Sequence, residues 1–406
     1  MQGLFKLVAM TLLGILIAAF SFLSGFLYST VTSGPLPTSA NLSPIPNVTR
    51  TVSAPSEFAV FWEAWQIIHK DFYGQIPDNK ALTYSAIRGV VKSLNDQHTV
   101  FVEPSATARE SEQLRGDFEG IGATVNLQND QVVIVAPIVG SPAEQAGVQP
   151  GDIILKVDTQ DVKGMSLDDV VALIRGPRGT KVTLTLLRLG RPDPIVIDIT
   201  RNTIQLPSVI SRMEQDNIGY VRLTIFGQKS KDEVATAIQD LTKKGAKALI
   251  FDLRSNPGGY LQSAIDVASQ FIQNGVVAYE RGKDGKDQEF RATGNGVWTN
   301  LPLAVLIDKG SASASEIVAG AIQDRKRAPL VGDTSYGKGS VQSVHQLSDQ
   351  SSIHVTIAEW LTPNKTQITG RGLTPDIAVP ISPEDQKRAN DTQLIAALDY
   401  LKGQLP

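Results

Sequence analysis

The pattern that most restricts the fold of this 406-residue chain is an alternation of strand-like and helix-like segments after about residue 201. Short apolar runs typical of buried strands are separated by segments with apolar residues at helical spacing. The strand-like runs are NIGYVRLTIF (217–226), KALIFDLR (247–254), LAVLID (303–308) and HVTIAEWLT (354–362), and the helix-like segments are KDEVATAIQDLTKK, LQSAIDVASQFIQ and SASEIVAGAIQD. This alternation predicts an α/β core over residues 201–406, in which helices cover a mixed sheet and DTQLIAALDYLKG forms the last helix.

Residues 113–200 have a different pattern and form a predicted α+β domain inserted before the core. A glycine-rich stretch, FEGIGATV (118–125), leads into alternating strands. SPAEQAGVQPGDIILKVD (141–158) predicts a short helix, a Pro-Gly turn and a strand. SLDDVVALIRG (166–176) predicts an amphipathic helix with Ser166 as its N-cap. The strand-like runs VTLTLLRLG and PIVIDITR complete this domain.

This region resembles a PDZ domain of the bacterial type over nearly its whole length, most specifically in AGVQPGDIILKVD. The resemblance implies that the C-terminus of a peptide adds as a strand to the edge of a sheet. The terminal carboxylate would bind the backbone N–H groups of the turn that contains Gly120, Ile121 and Gly122. A PDZ fold without affinity for peptides is the alternative.

The N-terminus predicts export from the cytoplasm. After Lys6, residues 7–28 form an uncharged apolar run, and about 20 such residues span a bilayer. The positive-inside rule leaves Lys6 in the cytoplasm and places the rest outside, in a periplasm, at the cell surface or in a thylakoid lumen. Residues 1–30 are therefore a predicted transmembrane anchor, with a cleaved signal peptide and a secreted protein as the alternative. Residues 31–56, rich in Pro, Ser, Thr and Asn, are a predicted flexible linker.

Residues 57–112 are predicted to be a helical region. FAVFWEAWQIIHKDFY places five apolar residues near helical spacing. They are Phe58, Phe61, Trp62, Trp65 and Ile68. Because large aromatic side chains are usually buried, we expect this stripe to belong to a core and not to a ligand site.

Composition excludes several functional classes. The chain has no cysteine, so disulfides and zinc–thiolate sites are excluded. Its four histidines show no HExxH spacing, and its formal net charge of −3 does not suit nucleic-acid binding. We therefore expect no metal, no cofactor and no nucleic-acid partner.

GSASASEIVAGAIQD (310–324) supplies three serines at the start of a predicted helix, namely Ser311, Ser313 and Ser315. Ser313 and Glu316 fit the S-x-x-E capping box, in which the two side chains satisfy the first N–H groups of a helix. A serine hydroxyl becomes a nucleophile only when a base takes its proton. A catalytic role for one of these serines therefore needs partners elsewhere in the chain.

The first candidate partner is Lys338, which lies between two glycines in SYGKGSVQ (335–342). Lysines in turns are usually at the surface. A base role requires a neutral amine, hence a pKa about three units below the reference value, and burial in an apolar pocket can lower it that far. A Ser-His-Asp triad is the weaker alternative, because His345, the histidine near these motifs, lies in a strand-like run.

The second candidate partner is FDLRSNPGG (251–259), in which two glycines follow a predicted strand. Successive glycines allow backbone N–H groups to point into a cleft with no side chain in the way. An oxyanion hole requires such donors. An ordinary tight turn is the alternative.

Together, DLRSNPGG, GSASASEIVAGAIQD, GDTSYGKGSVQ and GRGLTPDI resemble the C-terminal processing peptidases, a serine–lysine family related to the tail-specific proteases. The resemblance extends from about Phe61 to the end of the chain, and it implies a serine endopeptidase with an inserted PDZ domain. The implied roles are Ser313 as nucleophile, Lys338 as general base and Gln342 as the residue that positions the lysine amine. The implied oxyanion donors are the backbone N–H groups of Ala314 and of Gly259, which is preferred over Gly258.

One departure from the family pattern is LNDQHTVF (94–101), where relatives have LDPHS-like residues. Because it lies outside the catalytic motifs, we expect altered packing and unchanged activity. The resemblance also implies that the PDZ domain captures the C-terminus of the substrate and swings relative to the core. Arg175 matches a position at which relatives contact the catalytic region, and a surface arginine is the alternative.

Three further hypotheses remain. In the first, the chain is a membrane-anchored PDZ adaptor with an inactive protease core; this hypothesis predicts loss of Ser313 or Lys338, and the sequence retains both. In the second, the chain is a regulatory protease that trims a single signalling partner. In a photosynthetic host, the precursor of a photosystem II reaction-centre subunit would be a natural substrate. A homo-oligomer is compatible with each of these.

Overall fold

The structure is a computed structural model and describes residues 55–294, 296–381 and 390–405. The chain divides into two compact units, Met1–Asp78 and Asn79–Pro406. The described part of the first unit contains helix α1 (Phe58–Asp71). Among all described residues, no helix combines the length and apolarity needed to cross a bilayer, and the apolar run 7–28 lies outside them.

The aromatic stripe of α1 is exposed. Its rings contact one another, as for Phe61 and Trp65, whose centroids are 6.0 Å apart. However, no residue of α1 is buried, and Trp62 is 55% exposed. The prediction that this stripe forms part of a core is therefore wrong, because residues 55–78 supply no second element that could cover it.

The second unit contains the remaining described helices and the strands. The helices are α2 (Asn79–Lys92), α3 (Pro104–Arg115), α4 (Pro142–Gln145), α5 (Leu167–Ile174), α6 (Ser230–Lys243), α7 (Leu261–Phe271), α8 (Ala314–Asp324) and α9 (Thr392–Lys402). The strands up to the core are β1 (Val100–Val102), β2 (Asp117–Gly120), β3 (Ala123–Gln128), β4 (Gln131–Pro137), β5 (Ile153–Val157), β6 (Gln160–Asp161), β7 (Lys181–Leu187), β8 (Ile195–Thr200) and β9 (Asn202–Gln205). The strands of the core are β10 (Val209–Met213), β11 (Ile218–Leu223), β12 (Ala248–Asp252), β13 (Val276–Gly282), β14 (Asp287–Arg291), β15 (Leu303–Ile307), β16 (Leu330–Gly332), β17 (Ser340–Gln346), β18 (Ser352–Leu361) and β19 (Ile377–Ala378).

The core is built on a six-stranded mixed sheet with the order β10-β11-β12-β15-β16-β19. The strands from β11 to β19 pair in parallel, and β10 is antiparallel to β11. Phe251 and Val305 face helices α6, α7 and α8, whereas Ile250 and Leu306 face α9. Because the carboxyl ends of parallel strands meet at one edge, the loops that follow β12 and β15 are neighbours. These loops carry the Asn-Pro-Gly-Gly turn and the three serines.

A second sheet is antiparallel, with the order β1-β18-β13-β14, and β17 also pairs with β18. A register shift lies between Val341 and Gln342 of β17. Such bulges re-aim side chains and are frequent next to active sites.

The predicted PDZ region forms its own sheet, β3-β4-β5-β7-β8, with β6 beside β5. Ser166 caps α5, since its Oγ accepts the N–H of Asp169 at 3.2 Å. Asp152 is fully buried and forms a two-bond ion pair with Arg188, which explains the aspartate in the Pro-Gly-Asp turn. The predicted combination of a mixed α/β core, a PDZ domain and N-terminal helices is thus confirmed.

Candidate active site

Two of the three candidate serines have structural hydrogen bonds. Ser311 is fully buried, and its hydroxyl donates to the carbonyl of Leu253 at 2.8 Å. Ser315 is also fully buried and donates to the carbonyl of Asn256 at 2.9 Å. Both bonds fasten the serine loop to the turn after β12. Ser313, which is partly exposed, is therefore the serine best placed to react.

Ser313 has an unusual backbone conformation at the start of α8. Its φ and ψ are 56° and −114°, whereas N-cap residues usually adopt the extended region. A positive φ at a residue other than glycine is strained and persists only where the surroundings enforce it. Such strain is concentrated at active sites, so the conformation favours a functional role over simple capping.

The turn after β12 contains a backbone N–H group that has no hydrogen-bond partner among the described residues. Asn256 is fully buried, and its side-chain oxygen accepts the N–H of Gly258 at 2.9 Å. Within the described residues, no hydrogen bond from the N–H of Gly259 or of Ala314 is found. Ala314 opens α8, where N–H groups have no partner within the helix. The geometry is thus compatible with the predicted donors and with the preference for Gly259 over Gly258.

Gly258 leaves no room for a side chain. A Cβ there would lie 2.8 Å from the Cβ of Ser313 and 3.0 Å from the backbone nitrogen of Ala314, and its φ is +105°. The added methyl group would displace the backbone of Ala314, a proposed oxyanion donor, so we expect Gly258→Ala to lower kcat by about 10²-fold, the loss typical of one such donor.

The matched control for Gly258→Ala is Gly245→Ala. Gly245 also has a positive φ, +96°, but open space surrounds the position of its Cβ. The Gly245→Ala variant should lose about 1 kcal/mol in the free energy of unfolding and should keep its full activity. Steady-state kinetics of both variants checks this prediction, and full activity of Gly258→Ala would contradict it.

Glu316 joins the nucleophile segment to the lysine segment. Its Oε2 accepts the backbone N–H groups of both Ser313 and Lys338, each at 2.9 Å. Its Oε1 accepts the Ser335 hydroxyl at 2.6 Å and the Gly337 N–H at 2.7 Å. The side chain is fully buried. The sequence predicted Glu316 only as the capping partner of Ser313. Its three hydrogen bonds to residues 335–338 were not predicted.

The glycines beside Lys338 are required by close contacts. A Cβ at Gly339 would lie 2.6 Å from the nitrogen of Thr369, and one at Gly337 would lie 3.0 Å from the nitrogen of Gly372. GRGLTPDI therefore packs against the lysine segment, which accounts for its place among the family motifs.

Burial lowers the pKa of the Lys338 amine, while the carboxylates of Glu110 and Glu316 oppose this effect. The pKa of the amine is thus shifted downward, which is the direction that a general base needs. Among the hydrogen bonds of the described residues, none joins Ser313 Oγ to Lys338 Nζ. Catalytic hydrogen bonds often tighten only when substrate is bound.

Gln342 directly follows the bulge in β17, and its Nε2 donates to the Ser340 hydroxyl at 2.7 Å. It lies four residues after Lys338 on the strand that begins beside the lysine. The predicted role in positioning the amine remains a prediction.

The PDZ region has a groove between β3 and α5 with a volume of about 150 Å³. Its lining is mainly apolar and consists of Phe118, Ile121, Gly122, Ala123, Val125, Val171, Ile174 and Arg175. A Cβ at Gly122 would lie 2.5 Å from the Cβ of Ser141, so only glycine fits there. Gly120 lies beside Arg175, whose Cγ is 3.8 Å from the position of a Cβ at Gly120. The structure thus brings the predicted carboxylate turn and Arg175 to one end of the groove.

Arg175 contacts helix α3 in this structure. Its guanidinium group pairs with Glu112 and lies over the ring of Phe118, 4.9 Å from the centroid. Within the described residues, no hydrogen bond joins Arg175 to the serine loop or to the lysine segment.

Sequence reasoning missed two residues near Lys338. His98 lies in the divergent segment LNDQHTVF, and burial and the charge of Lys338 both lower its pKa, against the effect of Asp96. Glu110 lies on α3, and its charge opposes the lowering of the Lys338 pKa by burial. The segment 94–101 thus contributes to the electrostatic surroundings of the lysine, and the expectation of altered packing with unchanged activity stays a prediction. The presence of a histidine in this segment could have suggested a place near the catalytic residues, whereas no feature of the sequence distinguished Glu110 from other surface glutamates.

Comparisons with known proteins identify the domains and relatives of this chain. The model of peptidase family S41 matches residues 217–379, and that of a PDZ domain matches residues 133–188. A carboxyl-terminal-processing protease of Synechocystis sp. is 38% identical over 348 residues, which cover 84% of this chain and 81% of that protein. The carboxy-terminal processing protease CtpA of Bacillus subtilis is 39% identical over 323 residues, 79% of this chain and 69% of that protein. A solved structure of a photosystem II D1 C-terminal processing protease is 30% identical, with coverage of 83% and 97% and a TM-score of 0.47.

An α/β core of this kind with a PDZ domain defines the chain as a PDZ-containing peptidase. It belongs to peptidase family S41, and its relatives are carboxyl-terminal processing proteases. The predicted family and the predicted class of enzyme are confirmed.

Proposed function

We propose that this chain is an exported serine endopeptidase that cleaves protein substrates near their C-termini, with Ser313 as nucleophile and Lys338 as general base. The observation that carries the proposal is the shared carboxylate oxygen of Glu316, which holds the backbone of both residues. The structural hydrogen bonds of Ser311 and Ser315 leave Ser313 as the available hydroxyl.

The reaction begins when neutral Lys338 takes the proton of the Ser313 hydroxyl, and Oγ attacks the scissile carbonyl. The resulting oxyanion accepts hydrogen bonds from the backbone N–H groups of Ala314 and Gly259. Protonated Lys338 then donates its proton to the leaving amine, which breaks the peptide bond and leaves an acyl-enzyme. Lys338 next activates a water molecule that hydrolyses the ester, while Gln342 keeps the amine in place.

The pH dependence follows from the state of Lys338. The base must be neutral, so kcat/KM rises with pH through the pKa of the amine. Because burial lowers this pKa from its ordinary value of 10.5, the rise occurs at lower pH than for an exposed lysine.

The PDZ groove selects the substrate by its free C-terminus. The apolar lining and the small volume favour a small apolar last residue. Gly120, Ile121 and Gly122 bind the terminal carboxylate through backbone N–H groups. Arg175 links this groove to the rest of the chain, and occupancy of the groove regulates cleavage.

Export and attachment to the membrane rest on residues 7–28, whose length and apolarity suit a span or a signal segment. The protein then acts outside the cytoplasm, on substrates of the same compartment. A homo-oligomer is compatible with this arrangement.

The direct test is cleavage of a protein with an unstructured tail that ends in Ala or Val. We expect the full-length chain to cleave near the tail, Ser313→Ala to show no cleavage, and Ser348→Ala, at an exposed position, to retain it. Mass spectrometry of the products locates the cleaved bond. Binding of the tail without cleavage by the wild-type chain would instead indicate the adaptor.

A further inference from the structure

Residues 257–260, here called the oxyanion turn, contain three backbone N–H groups, because Pro257 has none. The N–H of Gly258 donates to Asn256 Oδ1 at 2.9 Å, and that of Tyr260 donates to the carbonyl of Phe226 at 2.8 Å. The third N–H belongs to Gly259, and among the described residues it has no partner. The hydrogen bonds of the turn therefore leave one donor, that of Gly259.

Phe226 fixes the direction of this donor. The N–H of Phe226 donates to the carbonyl of Gly258 at 2.8 Å, so Phe226 bonds to both neighbours of Gly259, as in a parallel ladder. In such a ladder, the N–H of the residue between the two bonded ones points away from the partner strand. The donor of Gly259 thus points away from Phe226, in a turn that contacts the nucleophile segment at Ser313.

The side chain of Asn256 decides which N–H of the turn is left over. It is fully buried, and its Nδ2 donates to the carbonyl of Leu223, at the end of β11, at 2.8 Å. Its Oδ1 accepts from Gly258. The position therefore needs a donor at one end and an acceptor at the other, and a side-chain amide supplies both.

The main chain of Asn256 holds the serine loop. Its carbonyl oxygen accepts the N–H of Ala312 at 3.0 Å and the Ser315 hydroxyl at 2.9 Å. These two donors lie on either side of Ser313 and of the second proposed oxyanion donor, Ala314. One buried residue therefore holds both halves of the proposed oxyanion hole relative to each other.

We propose that Asn256 is a positioning residue of the peptidase, whose amide holds the N–H of Gly258 and thereby directs that of Gly259 to the oxyanion. The inference rests on the proposed roles of Ser313, Ala314 and Gly259. Without the amide, the Gly258 N–H is released, and the two glycines allow the turn to rotate. A misplacement of about 1 Å in such a site costs about 10²-fold in rate.

The test is the pH dependence of the full-length Asn256→Asp variant. A protonated carboxyl group donates to the carbonyl of Leu223 and accepts from Gly258, as the amide does. An ionised carboxylate has no proton to donate, so one of its oxygens faces the carbonyl of Leu223 unpaired. Because burial raises the pKa of such a carboxyl group, both states are sampled between about pH 5 and about pH 9.

The measured quantity is kcat of Asn256→Asp divided by the wild-type kcat at the same pH. We expect a loss of at most about tenfold at low pH and of about 10²-fold at high pH. KM should stay near the wild-type value, since the oxyanion is absent from the bound substrate.

The ratio removes the titration of groups that both enzymes share. These are Lys338 and the charged groups on the elements that hold Asn256, namely Arg222, Asp252, Arg254, Asp308, Lys309 and Glu316. If the new carboxylate acted only through the pKa of Lys338, the ratio would recover at high pH, where the amine is neutral. That recovery would overturn the proposal.

Asn202→Asp is the matched control. Asn202 is exposed, and its Oδ1 accepts the N–H of Thr203 at 2.9 Å, a bond that a carboxylate also makes. This variant should have the wild-type kcat at every pH. Circular dichroism at each pH verifies that both variants are folded.

If Asn256→Asp does not fold, Ser315→Ala tests the same role. It removes one donor to the carbonyl of Asn256 and leaves that of Ala312. We expect kcat to fall about fivefold at unchanged KM, the effect of one hydrogen bond. An unchanged kcat here, or a ratio for Asn256→Asp that does not vary with pH, would overturn the role of Asn256.

A failure of the proposed mechanism gives a different result, because cleavage would then persist in Ser313→Ala. The ratio is therefore measured for cleavage that Ser313→Ala abolishes.

Discussion

Lys338→Ala is expected to lower kcat/KM by about 10³-fold, within the range that general acid–base catalysis contributes. Without the amine, the Ser313 hydroxyl loses the base that the proposed mechanism assigns to it. The fold should be retained, because the variant keeps the backbone N–H that donates to Glu316. Progress curves for tail cleavage and a thermal melt measure the two effects.

The control for this prediction is Lys309→Ala. Lys309 lies beside the serine loop, is 81% exposed and pairs with Asp333 at 3.4 Å. An exposed pair of this kind contributes little, so its loss should change neither activity nor stability measurably. If Lys338→Ala retained the turnover of Lys309→Ala, the serine–lysine assignment would fail.

Glu316→Gln is expected to reduce both stability and activity. The carboxylate accepts four hydrogen bonds in a fully buried position. A glutamine can accept at only one of the two oxygen positions, so its NH₂ group would face two donors. We expect a loss of about 2–4 kcal/mol in the free energy of unfolding, together with a fall in kcat, because the backbones of Ser313 and Lys338 lose their common partner.

Denaturant unfolding and steady-state kinetics check this second prediction. Glu289→Gln is the control, since Glu289 is 47% exposed and pairs with Arg291 on the same strand. A Glu316→Gln variant with wild-type stability would show that the buried carboxylate does not hold the site together. Wild-type kcat in a destabilised variant would show that the dyad does not depend on it.

The sequence predicted the core because its signals are local. The strands that become β11, β12, β15 and β18 are short apolar runs, and the helices between them have a regular apolar spacing. Parallel pairing then brings the two loops together at one edge of the sheet. The assignment of the turn 251–259 and the serine loop to one site comes from the family motifs, and the parallel pairing of β12 with β15 explains why the two loops are neighbours.

The sequence could not rank the three serines by structure, because their hydrogen-bond partners lie far away in the chain. Ser311 bonds to Leu253, and Ser315 bonds to Asn256. Ser313 was selected by its place in the family motif. Its strained φ of 56° is likewise a product of tertiary contacts, which no local pattern encodes.

Long-range electrostatics were also beyond the sequence. Glu110 lies on a helix with no apolar stripe, so neither periodicity nor a motif drew attention to it. The aromatic stripe of α1 shows the opposite error, since a strong local pattern suggested a core that the neighbouring described residues do not supply.

The antiparallel ribbon of β2 and β9 has an evolutionary consequence. Asp117 pairs with Gln205 and Gly120 with Asn202, so the chain leaves the core and returns to it through two adjacent strands. Adjacent strands are only about 4.8 Å apart. Another compact domain whose termini lie that close could therefore be inserted between β2 and β9 without distorting the peptidase core. Evolution could change the choice of substrate in this way while the catalytic residues stay the same.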